Sequence, residues 1–306
     1  MPGAGPLDGA RLPHPHLVTP RARYRVPLPT GDAMALGERT LIMGVLNVTP
    51  DSFADGGAYV DPSRAADAAL ALEAAGADII DIGGESTRPG AAPVDAREEW
   101  RRVGPVLDRL AGRLRVPVSI DTYKAAVAEA ALDRGASIVN DISALRYDSD
   151  LSGVIAARRA AVVLMHNRGR SREMYRDAGY QSVAADVAAE LRERITAAEA
   201  AGIARERIII DPGIGFAKKA EQSLTLLADL PALAPLGCPM LVGPSRKSFL
   251  QTAIGERPAG SRDWATAAAV AAAIMLGAHI VRVHAVAEMA DVVRTMDAIR
   301  AASPSP

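Results

Sequence analysis

From Leu41 onward the chain alternates short, nearly uninterrupted apolar runs with polar loops and alanine-rich segments of helical period. The runs are Leu41 to Leu46, Asp78 to Ile82, Val116 to Ile120, Ser137 to Val139, Ala161 to Met165, Arg207 to Ile210, Met240 to Gly243 and Ile280 to Val283. Between them, segments such as Arg64 to Ala75, Val183 to Ala201 and Thr266 to Gly277 predict helices. Eight βα units over about 260 residues match a (β/α)8 TIM barrel; a doubly wound open sheet has five or six strands. Unbroken apolar runs fit parallel strands buried on both faces.

Ahead of the first unit, Arg23 to Leu28 and Ala33 to Leu36 flank a Pro-Thr-Gly-Asp turn and predict a short hairpin, about 23–38, that caps the barrel bottom. Residues 1–20 are rich in Pro, Gly and His without periodicity and are expected to form a disordered leader. The expected organisation is therefore one barrel domain over 21–302.

The polar residues that end the runs carry the first functional signal. Asn47, the Gly83-Gly-Glu-Ser segment, Asp121, Asn140 with Asp141, His166, Asp211, Ser245 and His284 each follow a strand. That is the C-terminal face, where barrels of this kind hold their active sites. One or two such residues are ordinary loop caps; eight predict a polar site assembled from many strands.

Composition narrows the partner. The 35 Lys and Arg residues nearly cancel the 36 Asp and Glu residues, so no global field draws nucleic acid or an anionic membrane. The expected partner is a small molecule. The longest apolar segment, Trp264 to Ala278, is too short to span a bilayer, and no signal peptide is legible. A single cysteine, Cys238, excludes an internal disulfide and suits a reducing cytoplasm, the expected location.

Several constellations carry chemistry. Asp121, Asn140 and Asp211 are expected to project inward near the mouth, where they can grip a flat heterocycle with an amidine-like edge; taken singly, Asp121 reads equally as a cap on the helix from Tyr123 and Asp211 as an Asp-Pro turn. Lys247 offsets the repulsion between the two carboxylates. Ser245 stands where a helix N-cap belongs, which puts Lys247 in the first helical turn, beside unpaired N–H groups suited to an anion. Asn47, Asp51 and Asp55 offer the hard oxygen ligands that Mg2+ prefers, although for this loop taken alone a solvated loop with Asx turns is the default reading. Arg282 and His284 share a face by the period-two rule and suit a phosphate-type anion between the last strand and the first; a general base or a hydrogen-bonded structural group are the competing readings of His284. His166 and His279 read as structural. No Ser-His-Asp or Cys-His dyad and no dinucleotide-binding glycine loop is legible.

Seven motifs in order then resemble the dihydropteroate synthases of folate biosynthesis. They are Met43-Gly-Val-Leu-Asn-Val-Thr-Pro-Asp-Ser-Phe53, Asp81-Ile-Gly-Gly-Glu-Ser-Thr-Arg-Pro89, Ser119-Ile-Asp-Thr122, Val139-Asn-Asp-Ile142, Asp211-Pro-Gly-Ile-Gly-Phe216, Ser245-Arg-Lys-Ser248 and Arg282-Val-His284. The resemblance implies condensation of a dihydropterin-methyl diphosphate with 4-aminobenzoate, giving dihydropteroate and diphosphate. It further implies that Asp121, Asn140, Asp211 and Lys247 hold the pterin, with Ile142 and Met165 against its faces. Asn47 would bind Mg2+, with Asp51 and Asp55 in the same loop. Arg282, His284 and Thr87, beside Arg88, would meet the diphosphate. Phe53, Thr87, Pro89, Phe216 and Ser248 would form the 4-aminobenzoate pocket that sulfonamides share, with Gly243, Ser245 and Arg246 in the turn beside it. Asp121, Asp211, Lys247, Arg282 and His284 are the expected catalytic set, and a homodimer is the expected assembly.

Four features depart from the commonest pattern: Ala285 after the Val-His pair, Ala217 at a frequent Gly, Pro244, and the leader. A pterin-binding methyltransferase domain or a non-catalytic pterin binder is the alternative, but neither needs Asn47, the Ser-Thr-Arg-Pro loop or Ser245 to Ser248.

Overall fold

A computed structural model describes residues 18–49, 61–86, 92–169 and 179–303. Two short strands come first, β1 (Tyr24–Pro27) and β2 (Ala33–Leu36), paired antiparallel with Tyr24 opposite Leu36. Eight parallel strands follow: β3 (Leu41–Asn47), β4 (Ile79–Gly83), β5 (Val118–Asp121), β6 (Ile138–Asp141), β7 (Ala161–Met165), β8 (Ile208–Asp211), β9 (Leu241–Val242) and β10 (Ile280–Val283). They lie in the order β8-β7-β6-β5-β4-β3-β10-β9, and a bridge between Ile210 and Met240 brings β8 against the β9 stave. The result is the expected (β/α)8 barrel.

Helices fill the connections: α1 (Pro62–Ala74), α2 (Ala96–Leu110), α3 (Ala125–Leu132), α4 (Leu151–Ala157), α5 (Val183–Ala200), α6 (Ala220–Ala228), the single turn α7 (Gln251–Ile254), α8 (Asp263–Met275) and α9 (Val286–Ala302). The starts of the first two follow local chemistry, each capped by an aspartate. Asp61 caps α1 by accepting from Ser63 N at 2.8 Å, with Pro62 in the first position, where its missing N–H costs nothing. No helix among the described residues is long and apolar enough to cross a membrane.

Boundaries differ from expectation in an informative way. The polar residues expected just after the strands are their last members: Asn47, Asp121, Asn140 with Asp141, and Asp211 all lie inside the ladder. The backbone simply continues past them, as where His166 N donates to Asp211 O at 2.8 Å. At the other end β5 starts late, because Arg115 N and Val116 N donate to Glu73 Oε1 at 2.7 and 3.0 Å rather than joining the sheet. Strand β9 shrinks to two residues between Pro239 and Pro244, neither of which can donate to a ladder.

Alternation sorts the side chains into two cores. Outward residues such as Ile42, Ile80, Val162 and Ile210 join the helices in the larger cluster. Inward residues of the lower barrel, among them Met43, Ile79, Ile138, Val163, Ile209 and Ile280, join Val26, Leu28, Met34 and Leu36 of the hairpin in a second cluster. The hairpin therefore plugs the bottom, as its pattern predicted. His279 seals that end neutrally: its Nδ1 accepts from Met240 N at 3.1 Å, and its Nε2 bonds Ala22 O at 3.0 Å.

Candidate active site

One pleat above the apolar plug the inward positions turn polar. Asp81 on β4, Asp121 on β5, Asn140 on β6, Asp211 on β8 and Arg282 on β10 each stand two residues beyond an inward-facing position of their strand. Arg282 occupies the centre. Its Nε donates to Asp81 Oδ2 at 2.6 Å and its Nη2 to Asp121 Oδ2 at 2.7 Å, while Asn140 Nδ2 donates to the same Asp81 oxygen at 3.0 Å. Gly83 makes room for this: paired in register with Asp121, it would bring a Cβ to 3.3 Å from the Asp121 Cβ.

Lys247 enters from the turn after β9. It takes the N-cap position of a 3-10 helix, Ser248–Leu250, with no side-chain cap. The expected N-cap role of Ser245 is thus corrected: its Oγ bonds His284 Nδ1 at 2.8 Å and accepts from His284 N at 3.2 Å, joining the ends of β9 and β10. Lys247 correspondingly precedes the helical turn, and its ammonium donates to Ile214 O at 2.5 Å and lies 4.3 Å from the centre of the Phe216 ring.

The electrostatics follow from three carboxylates and two cations that are largely withdrawn from water. Burial pushes the Asp121 carboxyl up, to about 7, with Arg282 pulling against it and Asp81 and Glu99 adding to the push. Burial also raises Asp211, opposed first by Lys247. Lys247 is pulled down by burial to about 8, although Asp211 draws it upward. Arg282 rises, because the carboxylates around it outweigh its own desolvation. The arrangement can hold a flat, hydrogen-bonding ligand and stabilise positive charge on it.

The remaining expected residues fall around this centre. Met165 is buried opposite Asp211 in register, and Ile142 is buried just past β6. Gly243 packs beside Arg282, its missing Cβ 3.6 Å from the Arg282 Cβ. Asn47 ends β3 next to Gly83 at the rim. Ser248 is exposed at the start of its helix. Arg246 has positive φ, 58°, and its guanidinium grips Asp263 at 2.7 and 2.8 Å, so it braces α8. Asp51, Phe53, Asp55, Thr87, Arg88 and Pro89 lie outside the described residues. A cavity of about 240 Å3 lined by Met165, His166, Glu190 and Leu191, among others, borders β7 and α5 and shares only Met165 with this centre.

Sequence reasoning missed two members. Asp81 hid inside a run read as apolar; a carboxylate with inward parity in a buried strand was the available signal. Lys218 is 2% exposed, and its Nζ reaches His166 Nδ1 at 2.9 Å. Nothing in the local sequence distinguished it from its exposed neighbour Lys219. His166 is structural as expected: it bonds Glu190 through Nε2 at 3.1 Å, and burial holds it down at about 4.

A closed parallel barrel whose one mouth is lined by Asp, Asn, Lys and Arg defines the class: a barrel enzyme built to bind a planar heterocycle. The model for pterin binding enzymes matches residues 43–284. Dihydropteroate synthase of Synechocystis sp. is 44% identical over 274 residues, 89% of this chain and 95% of that protein. The structure of Xanthomonas albilineans dihydropteroate synthase with 4-aminobenzoic acid has a TM-score of 0.84 at 42% identity, covering 92% of this chain and all of that one. Yersinia pestis dihydropteroate synthase with a sulfonamide drug complex has a TM-score of 0.82 at 40% identity, covering 88% and 98%. The chain belongs to the pterin-binding enzymes and, within them, to the dihydropteroate synthases, transferases of folate synthesis.

Proposed function

We propose that the mouth condenses (7,8-dihydropterin-6-yl)methyl diphosphate with 4-aminobenzoate by an SN1-like substitution. The observation that carries this reading is the cluster of Asp81, Asp121 and Asn140 around Arg282, with Asp211 and Lys247 beside it. The arylamine is neutral at pH 7 and needs no strong base, so the barrier is breakage of the C–O bond to diphosphate. Carboxylates Asp121 and Asp211, held in place before the charge appears, stabilise the cationic pterin-methylene. Asn140 and Lys247 orient the ring, with Ile142 and Met165 against its faces. Arg282 uses Nε and Nη2 on carboxylates, and its Nη1 has no protein acceptor among the described residues, which suits donation to a ligand. His284, oriented by Ser245, faces the departing anion. Phe216 and Ser248 flank the arylamine.

Mg2+ fits the chemistry available. Asn47, at the rim next to Gly83, is the residue that would hold the ion, with its remaining ligands to come from the diphosphate and water. Bound there, the ion would neutralise charge on the leaving group. Sulfonamides are the expected competitors of 4-aminobenzoate, in line with the Yersinia pestis complex. A homodimer and a cytoplasmic location complete the reading. Arylamine-dependent diphosphate release from the pterin diphosphate with Mg2+ is the expected result. Release at the same rate without arylamine would reduce the site to a hydrolase.

A further inference from the structure

Lys218 is a fully buried lysine outside the roles assigned above; burial pulls its ammonium down to about 7, although Asp211 draws it upward. Its three N–H donors meet three acceptors: Gly213 O at 3.1 Å, Phe216 O at 3.1 Å and His166 Nδ1 at 2.9 Å. The imidazole accepts there because its proton sits on Nε2, facing Glu190, which Arg168 holds in turn through Nε at 2.9 Å. Lys218 thus fastens the turn after β8 to the neighbouring stave, β7 and α5. The turn is tightly determined. Gly213 has φ 67°, and a Cβ there would stand 1.9 Å from His166 O. Phe216 N donates to Gly213 O at 3.0 Å, and Tyr180 Oη donates to Ala217 O at 3.0 Å.

Burying an ammonium is costly, and an apolar chain such as Met would fill similar volume without that cost. What the charge accomplishes is visible on the other side of the turn. Phe216 and Ile214, between and beside the two carbonyls that Lys218 grips, are the residues that meet Lys247. Two lysines, Lys218 and Lys247, therefore hold one glycine-rich turn.

We infer that Lys218 is a positioning residue: it sets the turn that carries the Phe216 ring and thereby shapes the arylamine side of the site. The inference rests on the assignment of Phe216 to the 4-aminobenzoate pocket. Of the pterin contacts only Asp211 and Lys247 touch this turn, through Gly213 N and Ile214 O, while Asp121, Asn140 and Arg282 are anchored on other strands, so pterin binding depends on the turn less than arylamine binding does.

Lys218→Met removes the donors and keeps the bulk. The expected result is a KM for 4-aminobenzoate raised about tenfold, pterin affinity by calorimetry within threefold of the parent, and faster hydrogen exchange at the Phe216 amide. Tyr180→Phe, a milder loosening of the same turn, is expected to raise the arylamine KM about threefold, which covers the case that Lys218→Met does not fold. Unchanged exchange at Phe216, or arylamine KM and pterin affinity weakened together, overturns the positioning role. Phe216→Ala is the control for the underlying assignment. If it leaves the arylamine KM unchanged while Lys218→Met still speeds exchange at Phe216, the pocket assignment fails and the mechanical role of Lys218 stands.

Discussion

The two ends of this barrel are made by the same strands, one pleat apart, and they treat polar groups differently. At the bottom, polar side chains are paired both with the backbone and with one another, Arg21 meeting Thr40 Oγ1 at 2.8 Å and Asp297 Oδ1 at 3.4 Å. Arg21 donates to Gly37 O at 3.1 Å and to Ala278 O at 2.8 Å, His279 bridges Met240 and Ala22, and the hairpin fills what is left with apolar volume. At the mouth, side chains serve one another: Arg282 with Asp81 and Asp121, Asn140 with Asp81. Asp81 Oδ1 is buried and has no partner among the described residues. An interior whose polar atoms are all partnered is finished, whereas one whose charges balance only in part retains capacity to bind.

Breaking the centre of the mouth is expected to have the largest effect. Arg282→Met leaves Asp81 and Asp121 buried without their cation, and removing one partner of such a pair costs about 3–5 kcal/mol. Denaturant titration is expected to show a loss of that size, with diphosphate release falling below detection. A stability loss under 1 kcal/mol would mean that the carboxylates are solvated and the site is looser than described.

The matching disruption at the bottom is Leu36→Ala, at a side chain 1% exposed in the plug. It is expected to cost about 2–5 kcal/mol of stability, while KM for both substrates, measured on the folded fraction, stays put. A shifted KM would show that the two ends communicate.

Lys247→Ala should weaken pterin binding by about 1.5–3 kcal/mol, the range for a hydrogen bond from a charged group. Calorimetry reads this directly. The same lysine predicts a pH limb. Its folded value of about 8 lies below its ordinary 10.5, so its charge opposes folding below pH 8, and that opposition fades as pH rises to 10.5. Binding runs the other way, since the ammonium is the binding form: kcat/KM for the pterin substrate is expected to fall above about pH 8. A flat profile to pH 9.5 would contradict the burial of Lys247.

The smallest effect is expected at Ala217, which holds φ 49° where a side chain is strained. Ala217→Gly should raise stability by about 0.5–1 kcal/mol, the range for relief of a residue forced to positive φ. Thermal unfolding against the parent checks it.

Strand-terminal Asp121, Asn140 and Asp211 were readable because polarity at the end of a buried strand has few structural uses. Arg246 and Ser245 were read as part of the substrate turn, yet their partners, Asp263 and His284, are 17 and 39 residues away, and no local pattern announces such pairs. Asp81 was quoted within its motif without a role, because its partner Arg282 is 201 residues distant.

The sequence by itself determined the barrel, the hairpin plug and the face that carries the chemistry, because periods of 2.0 and 3.6 and the chain order of polar terminators are local properties. Only the tertiary structure decided which charges meet. Arg282 leans inward onto two aspartates rather than outward toward an anion alone, Lys247 turns back over the Gly213–Phe216 turn, and Lys218 disappears into the interior while Lys219 stays in water. Coulomb attraction in a dry interior acts on distances of a few ångströms between staves, and closing the barrel is what sets those distances.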